Sequence, residues 1–239
     1  MGIYFGNQKL NRLYFGNQKI KAVYFGTQKV WSGASLVTYY NGSTLLGTVE
    51  IDEGNTVLEP SYHPRKTNKF LIGWNTNPSA TEPLEELVAD GEPITLYAIF
   101  ADAVVSGSLD ASVYRSGAQG GGAEEHTGTL DDRLVGKRID IQIEHSAWNG
   151  IFNGVSAQNG SVTAMGNQIY HHDNGSASQY GRPYGEGGYK ETVTMTIEVT
   201  SNKKITVRSD FSKSPNPSQT GDFCSVATSV TILGLTDES

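Results

Sequence analysis

The residue types that bind transition metals stand together at His171-His172-Asp173, just before an Asn-Gly pair. Another histidine, His126, follows two glutamates. A metal site needs three or four converging ligands, and adjacent residues of a strand point to opposite faces. We therefore expect His171-His172-Asp173 to form an ordinary loop, and we predict no metal site.

Nucleophilic catalysis would need a serine or cysteine beside a general base and an orienting acid. The single cysteine, Cys224, lies in the apolar stretch FCSVATSV, so we expect a buried, unreactive thiol. Asp131-Asp132 offers paired carboxylates, but adjacency in sequence does not give the separation that a glycosidase needs. No nucleophile elbow, phosphate loop or HExxH motif is present. We predict a protein that is not an enzyme and needs no cofactor.

A different chemistry is suggested by residues 178–191, SQYGRPYGEGGYKE, where tyrosines alternate with glycines. Exposed aromatic rings can stack on a sugar while an arginine holds its hydroxyls. These residues and a nearby tryptophan form the predicted glycan-binding set: Trp148, Tyr180, Arg182, Tyr184 and Tyr189. The alternative is that the rings pack against their own domain or a neighbouring subunit.

The chain begins with a decapeptide that occurs three times, at Ile3 to Arg12, Leu13 to Ala22 and Val23 to Ser32. Each copy contains Tyr-Phe-Gly-Asn/Thr-Gln-Lys, with a β-turn expected at the glycine. Alternation puts Leu13 and Phe15 on one face of a meander, with Leu10 and Tyr14 on the other.

Three short strands cannot hide two apolar faces, so we expect the repeat to be completed by other chains. A slightly adhesive tail on the next domain is the alternative. The predicted assembly interface consists of the large apolar residues of the repeats: Tyr4, Phe5, Leu10, Leu13, Tyr14, Phe15, Ile20, Val23, Tyr24, Phe25, Val30 and Trp31.

Charge is distributed unevenly along the chain. The net charge is +5 over residues 1–34, -6 over 35–101 and -6 over 102–239. Because the lysines of the repeat recur at fixed positions, we interpret them as solvated strand faces and predict no nucleic-acid partner. No apolar segment resembles a secretion signal or could cross a bilayer, so we expect no membrane insertion.

Composition favours an all-β protein with many hairpins, since 28 glycines and five Asn-Gly pairs supply turns. We predict three parts: an assembly segment at residues 1–34, ending in a short linker at 33–35, a spacer at 35–101, and a β domain at 102–239. In the last part, Ile139, Ile141 and Ile143 alternate with polar residues, as do Val193, Met195, Ile197 and Val199. Strands at such spacing form an antiparallel β-sandwich or jelly roll.

Residues 35–101 begin with a hairpin around Asn41-Gly42, pass through PLEELVA at 83–89, expected to make one or two helical turns, and end in a strand. The unit resembles the Listeria-Bacteroides repeat, or internalin B-repeat, a small ubiquitin-like (β-grasp, α+β) module. The residues that carry the resemblance are Val37-Thr38-Tyr39-Tyr40, Leu46-Gly47-Thr48, Phe70 to Trp74 with Asn75 to Pro78, and Ile94 to Ala98. The connection at 62–68 is longer than the family's. The resemblance implies a spacer or interaction role.

The opening YFGNQK repeat resembles tandem repeats in tail and fibre proteins of bacteriophages. The resemblance implies a structural component of a virion, in a tail, tail fibre or head fibre, assembled in the host cytoplasm. We expect a homo-oligomer, with a trimer preferred, which contacts other virion proteins and a glycan of the host surface. The alternative is an adhesion module that is secreted or displayed on a bacterial cell surface.

Overall fold

A computed structural model describes residues 4–9, 13–20, 22–57, 62–116, 122–149, 158–174, 187–211 and 223–236. The chain divides into two compact units, Met1–Pro64 with Leu71–Ala101, and Arg65–Phe70 with Asp102–Ser239. Strands dominate both, which confirms the all-β prediction. Over the described ranges the only helix is a 3-10 turn at Asp132–Leu134, and no helix there could span a membrane.

The strands are numbered in chain order. They are β1 Tyr4–Phe5, β2 Gln8–Lys9, β3 Leu13–Phe15, β4 Gln18–Ile20, β5 Ala22–Phe25, β6 Gln28–Ser32, β7 Ala34–Asn41, β8 Thr44–Asp52, β9 Lys69–Asn75, β10 Ile94–Asp102, β11 Val104–Ser106, β12 Asp110–Ser116, β13 Gly122–Leu130, β14 Arg138–Asn149, β15 Gln158–Ala164, β16 Asn167–Asn174, β17 Gly187–Glu198, β18 Lys204–Phe211 and β19 Phe223–Leu235.

Each decapeptide folds into its own hairpin: β1 with β2, β3 with β4, and β5 with β6. The predicted turns are confirmed, since Gly6, Gly16 and Gly26 have φ of 66°, 61° and 64° at the first turn position, where a hairpin turn needs a positive φ. The expected meander, with one strand between consecutive turns, is not formed. Instead each repeat closes on itself, as Leu13 does with Ile20, and in the described part of the repeats no backbone ladder joins one hairpin to another.

The larger sheet of the first unit has the strand order β8-β7-β10-β9, with β7 and β10 parallel. The sheet has a parallel central pair, but the described residues of this unit form no helix, so the assignment to the β-grasp class stays a prediction. Its core contains Val37, Tyr39, Trp74 and Leu96. The rings of Tyr39 and Trp74 form an edge-to-face pair with centroids 5.1 Å apart, a geometry that aromatic pairs favour.

The helical turns predicted for residues 83–89 are not formed. The segment is extended, with Val88 bridged to Thr56. The backbone N–H of Val57 donates to the Leu87 carbonyl at 2.8 Å, and that of Ala89 donates to the Asn55 carbonyl at 2.9 Å. These bonds to residues 55–57 satisfy the backbone groups that a helix would have paired internally.

The linker predicted at residues 33–35 is also wrong. Gly33 and Ser35 are buried, and β7 already begins at Ala34. The Ser35 hydroxyl accepts a hydrogen bond from the backbone N–H of Gly91 at 2.9 Å. Close packing at this position requires small residues, and small residues are also typical of flexible linkers, which is why the sequence suggested one.

The second unit is a jelly roll. Its sheets have the orders β12-β19-β14-β17 and β11-β13-β18-β15-β16. Counted from β12, the first sheet holds strands one, eight, three and six, and the second holds two, seven, four and five, with β11 added at its edge. This interleaving of two Greek keys distinguishes a jelly roll from other sandwiches.

The core of the jelly roll lies where the alternation predicted it. Ile139, Ile141 and Ile143 of β14 are fully buried. On the neighbouring β17, Val193, Met195 and Ile197 are only half-buried, because this strand lies at the edge of its sheet.

Eight strand ends gather at one end of the jelly roll. Ser116 pairs with Phe223, Asn149 pairs with Gly187, and Gln158 pairs with both Asn174 and Phe211. The connections 117–121, 150–157, 175–186 and 212–222 all start and finish here, although they lie outside the described residues. The antiparallel topology alone therefore brings these four connections to one end.

Candidate functional site

The most exposed large apolar side chains of the described residues lie at the hairpin tips. Phe15 and Phe25 are 82% and 83% exposed, and the preceding Tyr14 and Tyr24 are 54% and 59% exposed. Each phenylalanine directly precedes the turn glycine. A soluble chain rarely exposes large rings at two equivalent positions unless they contact a partner.

In the second hairpin, the register places aromatic residues on both faces. Phe15 and Leu13 share one face with their partners Gln18 and Ile20, whereas Tyr14 lies opposite Lys19 on the other face. Leu13, Ile20 and Val23 are partly exposed. The remaining members of the predicted interface fall outside the described side chains: Tyr4, Phe5, Leu10, Val30 and Trp31.

In the jelly roll, the predicted glycan-binding residue Tyr189 lies on β17 instead of in a loop. Its hydroxyl donates to Glu191 Oε2 at 2.8 Å, and its ring stacks on His172 with centroids 4.6 Å apart. Tyr170 donates to the same carboxylate oxygen at 3.1 Å. The ring of Tyr189 therefore packs against its own domain, as the alternative interpretation expects.

Sequence reasoning missed His145, the centre of this cluster. Its side chain is fully buried, and Nδ1 lies 3.0 Å from Thr228 Oγ1. Thr228 Oγ1 is 2.9 Å from Ser209 Oγ, which donates to the Ala111 carbonyl at 2.8 Å. A hydroxyl carries one proton, so Thr228 donates to Ser209 and accepts from His145 Nδ1, which leaves Nε2 unprotonated. The signal was available, since His145 continues the inward alternation of β14.

The environment of His145 opposes a positive charge. Burial lowers the pKa of His145 to about 4, with a further lowering from His172 and an opposing effect of Glu191. Hydrogen bonding from Tyr189 lowers the pKa of Glu191, burial opposes this, and Tyr170 and His172 add to the lowering. Among the residues that the structure describes, none forms a hydrogen bond with His145 Nε2, which a neutral, unprotonated nitrogen tolerates better than a charged one.

His171-His172-Asp173 belongs to β16 and is not the loop that we expected. His171 is exposed while His172 is half-buried, as alternation on a strand requires. His172 Nδ1 lies 3.1 Å from Glu191 Oε2. In the part of the chain that the structure describes, no three potential metal-ligating side chains come together.

The other predicted residues are scattered. Tyr180, Arg182 and Tyr184 lie outside the described residues, as do the side chains of Trp148 and Cys224. Asp131 caps the 3-10 helix and forms an ion pair with Arg133 at 2.8 Å, and its pKa is lowered by hydrogen bonding from Arg133. Asp132 pairs with Lys203. Both carboxylates are thus engaged in local structure.

The first unit contains a small pocket of about 190 Å³ beside Trp74. The apolar residues that line it are Val57, Ile72, Trp74, Pro83, Leu84, Leu87 and Leu96. Glu85 and Glu86 also line it, and both are exposed. Five of the eleven lining residues, Pro83 to Leu87, belong to the segment for which helical turns were predicted.

No protein-family model matches the chain, and no curated protein sequence matches it. Among solved structures, a chain of the infectious bursal disease virus Gt strain is similar at 14% identity and a TM-score of 0.29, over 66% of this chain and 41% of that chain. A chain of the VP2 subviral particle of the same virus matches at 11% identity and a TM-score of 0.28, over 79% and 39%. Dimeric latent PorU from Porphyromonas gingivalis matches at 12% identity and a TM-score of 0.26, over 84% and 19%. The chain therefore spans about half or less of the chains it matches.

Proposed function

We propose that this protein is a structural component of a bacteriophage particle, in a tail, tail fibre or head fibre. Its hairpin repeats anchor it to other copies and to other virion proteins, the β-grasp module acts as a spacer, and the jelly roll faces the host surface. No catalytic step is part of this role.

The observation that carries the proposal is the exposure of Phe15 and Phe25 at equivalent tips. Burial of one such ring contributes about 1.5–3 kcal/mol, so several rings buried together can hold an assembly. Folding leaves this free energy unused, because the rings remain in water within a single chain. Association with other chains is the process that can recover it.

The jelly roll supports the host-facing part of the proposal. Four connections leave from one end of a rigid sandwich, which is an arrangement that suits recognition by loops. One of these connections contains Tyr180, Arg182 and Tyr184, and Trp148 is the penultimate residue of β14, after which another begins. We propose that these residues bind a host glycan, while Tyr189 supports them from within the sandwich.

The anchoring role is tested by replacing both tip rings, Phe15→Ala with Phe25→Ala, in the full chain. We expect the parent chain to self-associate, and the variant to lose at least tenfold in association constant at an unchanged melting temperature. Light scattering gives the mass, and thermal unfolding followed by circular dichroism gives the stability. The matched control is Val105→Ala, which changes another exposed apolar residue, 57% exposed, in the other unit.

A parent chain that stays monomeric at high concentration would refute the anchoring role. A variant that loses stability along with association would show that the rings belong to the fold of the hairpins.

A further inference from the structure

We infer that the pocket beside Trp74 receives an aromatic hairpin tip, Phe15 or Phe25, from a second copy of this chain. The inference rests on the proposed anchoring role and names the surface to which the tips bind. It is carried by three matches between tip and pocket: size, polarity and charge.

The first match is size. The pocket encloses about 190 Å³, and an apolar cavity of about 150 Å³ is large enough to hold benzene. A phenylalanine ring therefore fits, with room for the first atoms of its stem. Phe15 and Phe25 can reach such a pocket because each stands at the narrow end of a hairpin, directly before a two-residue turn.

The second match is polarity. Seven of the eleven residues that line the pocket carry apolar side chains, including Trp74, Leu87 and Leu96. At its rim, Leu84 is 38% exposed, and the neighbouring Val88 is 45% exposed. An inserted ring would contact Trp74 and aliphatic side chains, and would cover exposed apolar surface of Leu84 as well.

The third match is charge. Glu85 and Glu86 stand at the pocket, within a segment of net charge -6 over residues 35–101. The repeats carry +5 over residues 1–34, and Lys19 lies directly across the hairpin from Tyr14, beside the tip. Lys29 takes the same position opposite Tyr24. A docked tip would bring a lysine close to the two glutamates, which favours association and the correct orientation.

Tip and pocket are different surfaces of one chain, so the contact is heterologous. Such contacts generate a closed ring if the rotation between copies closes, and an extended array if it does not. A pair of copies joined once in this way keeps an open pocket on one chain and open tips on the other.

The test is a charge swap in the full chain. Glu85→Lys with Glu86→Lys reverses the pocket rim, and Lys19→Glu with Lys29→Glu reverses the tips. Glu85 and Glu86 are exposed, and Lys19 and Lys29 lie on two-stranded hairpins, so folding should be retained, as circular dichroism would check. We expect each pair of substitutions alone to weaken self-association about 5- to 10-fold, and the four together to restore it.

The matched control, Glu92→Lys with Glu198→Lys, makes the same change in net charge at exposed sites outside the pocket. It should leave self-association within about twofold of the parent chain. Sedimentation velocity at two ionic strengths measures all five proteins, and added salt should reduce the differences.

Weaker self-association of both reversed pairs, with recovery in the protein that carries all four substitutions, would support tip-to-pocket docking. If the rim reversal has no more effect than the control, while the Phe15→Ala, Phe25→Ala protein still fails to associate, docking in this pocket is refuted and the anchoring role stands. If the parent chain does not associate at all, both proposals fail.

Discussion

Acidification should destabilise the jelly roll through His145. The folded state holds this imidazole neutral, with a pKa of about 4, whereas in the unfolded chain it titrates near the ordinary value of about 6.5. The unfolded state therefore binds the proton more readily, and stability falls as the pH falls below about 6.5. The stabilising contribution is complete above that pH and is lost progressively down to the folded-state pKa.

The size of the effect follows from these two pKa values. Each pH unit between them removes about 1.4 kcal/mol, so about 2 kcal/mol should be lost between about pH 8 and about pH 5. With a urea m-value of about 2 kcal/mol/M, the unfolding midpoint shifts by about 1 M. The pKa of Glu191 is lowered from 4.5, so its own contribution is lost only at lower pH and does not interfere.

The assay is urea unfolding of the full chain, followed by the amide NMR signals of β14 at several pH values. His145→Asn retains a donor for Thr228 and removes the titration, so its midpoint should be lower at neutral pH but nearly constant with pH. The matched control is His171→Asn, which changes an exposed histidine and should keep the slope of the parent chain.

An independent measurement is the ring signal of His145 itself, assigned by its absence in His145→Asn. If that signal titrates near 6.5 in the folded protein, the account of a buried neutral imidazole is wrong. The same holds if His145→Asn keeps the full pH slope.

Three further changes test the jelly roll. Gly160→Ala should lower the free energy of unfolding by about 1–3 kcal/mol in urea titrations, because the added Cβ would stand 2.2 Å from His145 Nδ1; an unaffected midpoint would contradict the packing described for this site. Thr228→Val leaves His145 Nδ1 without its partner and should cost about 1–3 kcal/mol, whereas a neutral result would mean that water reaches the imidazole. Tyr180→Ala with Tyr184→Ala should weaken attachment to host cells or to isolated surface glycan without changing the melting temperature, and a large loss of stability would show that the rings are structural.

The sequence predicts the fold best where alternation is strict. On β14, the period of two predicted the buried positions Ile139, Ile141 and Ile143, and the jelly roll confirms them. The hairpin turns were also predictable, because a glycine at the first turn position has a strong local preference. Local pattern is sufficient in both cases.

Prediction failed where the partner of a segment lies far along the chain. PLEELVA has helical propensity, but residues 55–57 pair with its backbone, and tertiary hydrogen bonds outweigh a weak local preference. Gly33 and Ser35 of the linker-like segment are buried for a similar reason, since Gly91, from a distant part of the chain, donates to the Ser35 hydroxyl. His145 was not predicted because it is a polar residue at an inward position of β14, and the alternation was applied only to the apolar residues before it.

The closure of each decapeptide on itself, with Leu13 opposite Ile20 and Phe15 opposite Gln18, makes the repeat a modular unit. Duplication or loss of one unit would change the number of presented rings in steps of one, without shifting the strand pairing of any other unit. If the hairpins anchor the chain as proposed, expansion or contraction of this region would change the number of contacts, while strand pairing in the β8-β7-β10-β9 sheet and in the jelly roll would stay the same.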